Sequence, residues 1–205
     1  MDALHTLIQK GGYIMYPILF CSLLSLTVIL ERLFSLTRFR VAPAKLRNMI
    51  QNYSSSDSDS LIAYCDKHKN PMASVIRKLI NNAHLSSDQT AELIKVTGRQ
   101  ETSGLDRGLF LLELIASITP LMGLLGTVLG MIEVFDTIAM QGVGQAGALS
   151  AGISKALITT VAGLSVAIPT LAAYTLLSRK AERLTDEIDR HTTVLFGKIY
   201  GIQTD

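Results

Sequence analysis

Uncharged and apolar positions in this chain are gathered into long blocks separated by polar stretches, and the block lengths set the first expectation. Between Lys10 and Glu31 lie twenty uncharged residues, GGYIMYPILFCSLLSLTVIL. At about 1.5 Å of rise each they cover a hydrocarbon core of roughly 30 Å. Nineteen more run from Leu114 to Ile132, and twenty-three from Ala156 to Ser178. The pattern predicts an all-α membrane protein with three transmembrane helices, over residues 11–30, 109–136 and 155–178. A cleaved leader is the rival reading of the first block. That block is long for one, and ERLFSLTRFR follows it where small residues at a cleavage site belong.

The polar stretches carry helix punctuation. SSSDSDS at 54–60 reads as a breaker, Pro71 suits a first helical turn, and Ser86 with Gln89 has the spacing of a capping box. From there helical periodicity is expected to continue nearly unbroken into the second span. Residues 31–108 are too polar for a large core of their own. They are expected to form long helices that extend into the cytoplasm and pack with a C-terminal helix over 179–205, where LTDEIDRHTTVLFGKI repeats apolar residues at helical spacing. AMQGVGQAGALSAG, within 137–154, reads as a glycine-rich outward turn. Pro120 and Pro169 should kink the second and third spans.

Charge supplies orientation. Residues 31–108 hold twelve Lys and Arg and the tail after Ser178 holds five, whereas residues 1–10 hold only Lys10 and 137–154 none. By the positive-inside rule the long loop and the C-terminus face the cytoplasm and the N-terminal segment faces outward. A net charge of +2 without a basic stripe argues against nucleic acid. Cys21 lies in an apolar block and Cys65 in a polar stretch, so both read as free thiols. The four histidines are dispersed, and no phosphate loop, dinucleotide fingerprint or nucleophile elbow occurs. No enzyme, cofactor or metal site is expected.

Two faces stand out. Thr119, Gly123, Thr127 and Gly130 recur at steps of four, four and three on the second span. Lys155, Thr159, Gly163 and Val166 do so on the third, with Thr160 beside them. Gly123, Gly126, Gly130 and Gly163 suit close helix packing. The hydroxyls of Thr127, Thr159 and Thr160, together with Lys155, are candidates for an ion pathway, because an ionisable residue in a membrane helix is expensive and commonly functional.

The stretches TPLMGLLGTVLGMIEVF (119–135) and AGISKALITTVAGLSVAIPTLAAY (151–174), with ERLF at 31–34, resemble the MotA/TolQ/ExbB proton channel family, most of all its ExbB and TolQ branches. The resemblance implies a bacterial inner-membrane complex in which a pentamer of this chain encloses an ExbD- or TolR-like single-span subunit whose aspartate carries protons. Proton flow would then energise a TonB- or TolA-like envelope protein. The family's threonines match Thr127, in GTVLG, and Thr160, in ALITTVAGL. One departure is GISKAL, which places Lys155 where the family commonly has a glutamate. A flagellar-type or sodium-driven stator, and a scaffold that holds a partner helix without conducting, stay open.

Overall fold

The computed structural model describes residues 11–37, 41–54, 57–68, 70–141 and 146–202. Among them all regular structure is helical: α1 (Met15–Ser35), α2 (Ala44–Gln51), α3 (Ser58–Lys67), α4 (Pro71–Asn81), α5 (Ser87–Thr102), α6 (Leu109–Gln141) and α7 (Ala146–Tyr200). Three stretches, Met15–Ser35, Leu109–Met140 and Leu149–Tyr200, are long and apolar enough to cross a membrane. Helix α6 continues through Pro120 and α7 through Pro169.

The helices differ from expectation at several places, the first being residues 44–81, which form three helices of 8, 10 and 11 residues rather than long ones, with α3 starting at Ser58 inside the stretch read as a breaker. Most of the supposed glycine-rich turn is helical: α6 runs on to Gln141 and α7 begins at Ala146, while 142–145 lie outside the described residues. Alanine is abundant there and favours helix. The seam described below also accommodates Gly152, where a side chain would collide with Val134. Conversely, helix does not continue from Ser86 into the second span. It stops at Thr102, and Gly108, at φ +76°, takes a left-handed conformation that ordinary side chains disfavour before α6 starts.

The chain divides into two compact units. The first comprises residues 1–31 and 108–176, the second 32–107 and 177–205. In the second, Asn70 caps α4 by accepting a hydrogen bond from the Ala73 amide at 2.9 Å, with Pro71 in the first turn. Ser86 and Gln89 exchange both bonds of the capping box. Leu46, Ile50, Leu61, Met72, Ile76 and Leu79 are buried, as are Leu184, Ile188 and Leu195 of the C-terminal part of α7. That part is tied in by an Arg47–Glu187 ion pair at 2.5 Å and by Lys198, which donates to the Ile50 and Gln51 carbonyls. The Tyr200 hydroxyl completes the attachment, donating to the Leu85 carbonyl and lying 2.7 Å from the Thr90 hydroxyl. The polar stretch thus gains its core from the chain's last helix. Cys65 and Cys21 are free thiols, and burial pushes Cys65 up to about 11.

Candidate functional site

The first unit is organised by the contact between α6 and α7. On α6 the buried positions include Leu112, Ala116, Thr119, Gly123, Gly126, Gly130 and Val134. On α7 they include Gly152, Ala156, Thr159, Gly163, Ala167 and Thr170. Both series advance by threes and fours, the spacing of a left-handed helix pair. The helices are antiparallel, since rising numbers on one meet falling numbers on the other.

Backbone approaches backbone along this seam. A Cβ on Gly163 would lie 2.5 Å from the Thr119 carbonyl oxygen and 3.2 Å from Gly123 Cα, and one on Gly123 would lie 3.0 Å from the Thr159 carbonyl oxygen. At Gly130 the neighbours are the Ala156 Cβ and the Gly152 oxygen, each 3.1 Å away, and at Gly126 a Cβ would overlap the Thr159 side chain. In lipid, where apolar burial drives helices together weakly, such approach gains dispersion contacts that bulky residues forbid.

The candidate hydroxyls fall in different places. Thr159 is 1% exposed, and its Oγ1 donates to the Ala156 carbonyl at 2.8 Å, so within one chain it is seam. Thr127 and Thr160 are half-buried at the seam's edge. Thr127 donates to the Leu124 carbonyl at 2.6 Å; Thr160 lies 3.4 Å from the carbonyls of both Gly123 and Ala156. Hydroxyls whose protons point at carbonyls keep lone pairs free to accept a hydrogen bond.

A simple count gives the sides. Thr127 is one residue after the seam position Gly126, and Thr160 is one after Thr159. Each step turns a helix by about 100°, and in an antiparallel pair the same sense of rotation brings both residues out on the same flank. Glu133 and Lys155 are each one residue before a seam position, Val134 and Ala156, and therefore emerge on the opposite flank.

There Lys155 Nζ donates to both carboxylate oxygens of Glu133, at 2.5 and 2.7 Å. The lysine side chain is 25% exposed and the glutamate 57%. Gly12, at φ +71° in the segment leading into α1, lies under the lysine: a Cβ there would be 2.5 Å from Lys155 Cε. Beside the pair opens a cleft of about 610 Å³ bounded by Thr137, Ser150 and Ser154. The structure thus separates Lys155 from Thr127 and Thr160, which sequence spacing had grouped together. Gly152 and Gly12 are the residues that spacing missed. Gly152 was legible in principle, four before Ala156 and seven before Thr159; nothing in the sequence marked Gly12. Among the described residues no group of His, Cys, Asp and Glu could hold a metal ion.

Comparison with known proteins agrees with this architecture. The model of the MotA/TolQ/ExbB proton channel family matches residues 67–190. The chain is 31% identical over 197 residues to the biopolymer transport protein exbB1 of Vibrio cholerae, covering 94% of this chain and 86% of that one. It is 32% identical over 173 residues to a putative ExbB-like biopolymer transport protein of Synechocystis, covering 82% and 68%. A putative biopolymer transport protein ExbB homologue of Methanothermobacter thermautotrophicus is 28% identical over 185 residues, covering 89% and 64%. With three helices of membrane-spanning length and a family match over more than half its residues, the chain is a membrane protein belonging to the MotA/TolQ/ExbB proton channel family.

Proposed function

We propose that this chain is the channel-forming stator subunit of a bacterial inner-membrane complex that uses the proton motive force to energise an envelope protein of TonB or TolA type. In this reading five copies enclose the single membrane helix of an ExbD- or TolR-like partner, with the N-terminus outward and the C-terminus in the cytoplasm. The biopolymer transport proteins to which it is similar support the coarse function. The observation that carries the finer reading is the placement of Thr127 and Thr160 on one flank of a glycine seam, with lone pairs free. Such a flank favours a protonated carboxyl, which donates a hydrogen bond, over a carboxylate, which only accepts. It would hold a partner's aspartate in its proton-loaded form.

The test is proton uptake by liposomes containing this chain with and without its partner. Valine is close to threonine in shape but lacks the hydroxyl, so Thr127→Val and Thr160→Val should leave the ring intact on native electrophoresis. An unpaired buried polar group costs about 1–3 kcal/mol, so flux should fall roughly tenfold or more. Parental flux in both variants would return the hydroxyls to a packing role, and no flux in the parental complex would favour a scaffold. For orientation, a single cysteine at position 56 should resist labelling from outside the cell, and one at position 141 should react.

A further inference from the structure

Helix α6 contains three acidic residues. Glu133 is held by Lys155, and Asp136 lies near the same end of the helix. Glu113 stands apart. It is exposed near the opposite end of α6, and no ion pair among the described residues includes it. Like Thr127, which follows the buried Gly126, it comes one residue after a buried position, Leu112.

Positions of this kind on α6 are Glu113, Ser117, Pro120, Leu124, Thr127, Met131 and Phe135, one after Leu112, Ala116, Thr119, Gly123, Gly126, Gly130 and Val134. The helix's back carries only exposed apolar side chains among its large residues, including Phe110, Leu114, Leu121, Leu125, Val128 and Ile132, whereas the flank mixes polar residues with the exposed Leu124 and Met131. Every exposed or half-exposed hydroxyl or carboxyl of α6 from Glu113 to Thr127 is therefore on the threonine flank. Ser117 donates to the Glu113 carbonyl at 2.9 Å and keeps its lone pairs. Between these levels, Pro120 has no N–H to offer the carbonyl of Ala116. Glu113, Ser117 and Thr127 thus place oxygen acceptors along one flank, beside the seam position Ala116 whose carbonyl the proline leaves without its helix partner. Thr127 and Glu113 are fourteen residues apart, roughly 21 Å along the axis, too far for direct transfer and suited to a chain of water.

We propose that Glu113 is the inner-end proton acceptor of this pathway, an assignment that rests on the function proposed above. A hydronium ion leaving the threonine level along the water chain gives its proton to the Glu113 carboxylate, forming the carboxylic acid and water. The acid then passes the proton to cytoplasmic water or buffer and returns to the carboxylate.

The experiment uses liposomes containing the full complex of this chain and its single-span partner, with ring assembly checked by native electrophoresis. Glu113→Gln should lower proton uptake at least about tenfold, whereas Glu113→Asp should retain most of it. Adding Ser117→Glu to Glu113→Gln returns a carboxylate to the same flank one turn away and should restore uptake; adding Leu114→Glu places it on the apolar back and should not. Thr127→Val is the control for the underlying function. If it reduces uptake while Glu113→Gln conducts like the parent, the assignment of Glu113 is overturned and the channel reading stands. Equal rescue from Ser117→Glu and Leu114→Glu would overturn it too, since charge at the helix end would then suffice. If the parental complex takes up no protons, the function itself fails.

Discussion

Helix α7 keeps one spacing through both units but fills it with different residues. In the first unit its buried positions are Gly152, Ala156, Thr159, Gly163, Ala167 and Thr170; in the second they include Leu177, Ala181, Leu184, Ile188, His191 and Leu195. The same three-and-four rhythm therefore serves two kinds of core. In water, large aliphatic side chains gain by leaving solvent, at about 25 cal/mol per Å² of apolar surface. Among lipid tails that gain is absent, and close backbone approach between small residues replaces it. The surfaces agree: Leu157, Val161, Leu164, Ile168 and Leu171 of the first unit are exposed, as suits a helix with apolar surroundings.

The sharpest way to break this contrast is to exchange the residue types. Gly163→Leu puts a large side chain where even a Cβ would meet the Thr119 carbonyl oxygen at 2.5 Å and Gly123 Cα at 3.2 Å, and both obstacles are backbone. Neither can rotate away, so the variant should yield no folded ring, read as loss of the assembled species on native electrophoresis. Gly126→Ala adds a single carbon, but it would overlap Thr159 Cβ as well as its hydroxyl, and no side-chain rotation moves that Cβ, so the helices must separate and the melting temperature should fall clearly. In the second unit the damage runs the other way. Ile188 is fully buried, and Ile188→Ala should cost about 2–5 kcal/mol through lost transfer energy and a cavity, measured by denaturant unfolding in detergent. If Gly163→Leu assembled normally, the seam would not be what joins α6 to α7.

These residues also show how much the sequence carried. The three long helices were legible because block length alone specifies them, and the caps at Asn70–Pro71 and Ser86–Gln89 because their residues act locally. The glycine seam was only partly legible. Gly123, Gly126, Gly130 and Gly163 were named for packing and meet the facing helix, but the face counted through Thr119, Gly123, Thr127 and Gly130 put Thr127 in line with them, where Gly126 lies. One residue is a turn of about 100°, and small residues occupy both positions, so composition could not decide between them; contact with α7 does. The end of α5 was obscured because Ser103–Gly108 breaks the helix through backbone conformation, whereas the apolar pattern continues. Lys155 was visible as an anomaly, yet its flank depends on which α7 residues form the seam.

Lys155 offers a smaller test, of the two flanks. Its ion pair is exposed on the glutamate side, and exposed pairs are worth about 0–1 kcal/mol. Lys155→Glu places two carboxylates together and should lower the melting temperature slightly; Lys155→Met should do less. The exchange Lys155→Glu with Glu133→Lys should restore the parental value. With the pair on the flank opposite Thr127 and Thr160, proton uptake should change less than twofold or so in Lys155→Met. A loss as large as that in Thr127→Val would show that the lysine acts on the pathway.

The smallest effect sharpens the contrast from the second unit. Where the first unit's charges at the α6–α7 contact meet as a pair, Asp189 points toward a groove beside α5 of about 490 Å³, near Gly98. Burial, and then the neighbouring Asp186, raise its carboxyl above the ordinary aspartate value. A raised carboxyl holds its proton more tightly in the folded chain than in the unfolded one. The folded unit is therefore favoured while Asp189 is protonated, and that advantage is lost as pH rises through the folded value. At neutral pH the ionised group is a small burden on the fold, reduced by solvent on its exposed side. Asp189→Asn removes the charge at similar size and should raise the melting temperature slightly at pH 7. The difference should shrink as pH falls toward the usual aspartate value of about 3.9, where the parental side chain becomes neutral too. Melting curves of both proteins in the same detergent between these pH values provide the check. A gap that stayed constant with pH would mean that the asparagine stabilises by packing, and that burial does not disfavour the charge.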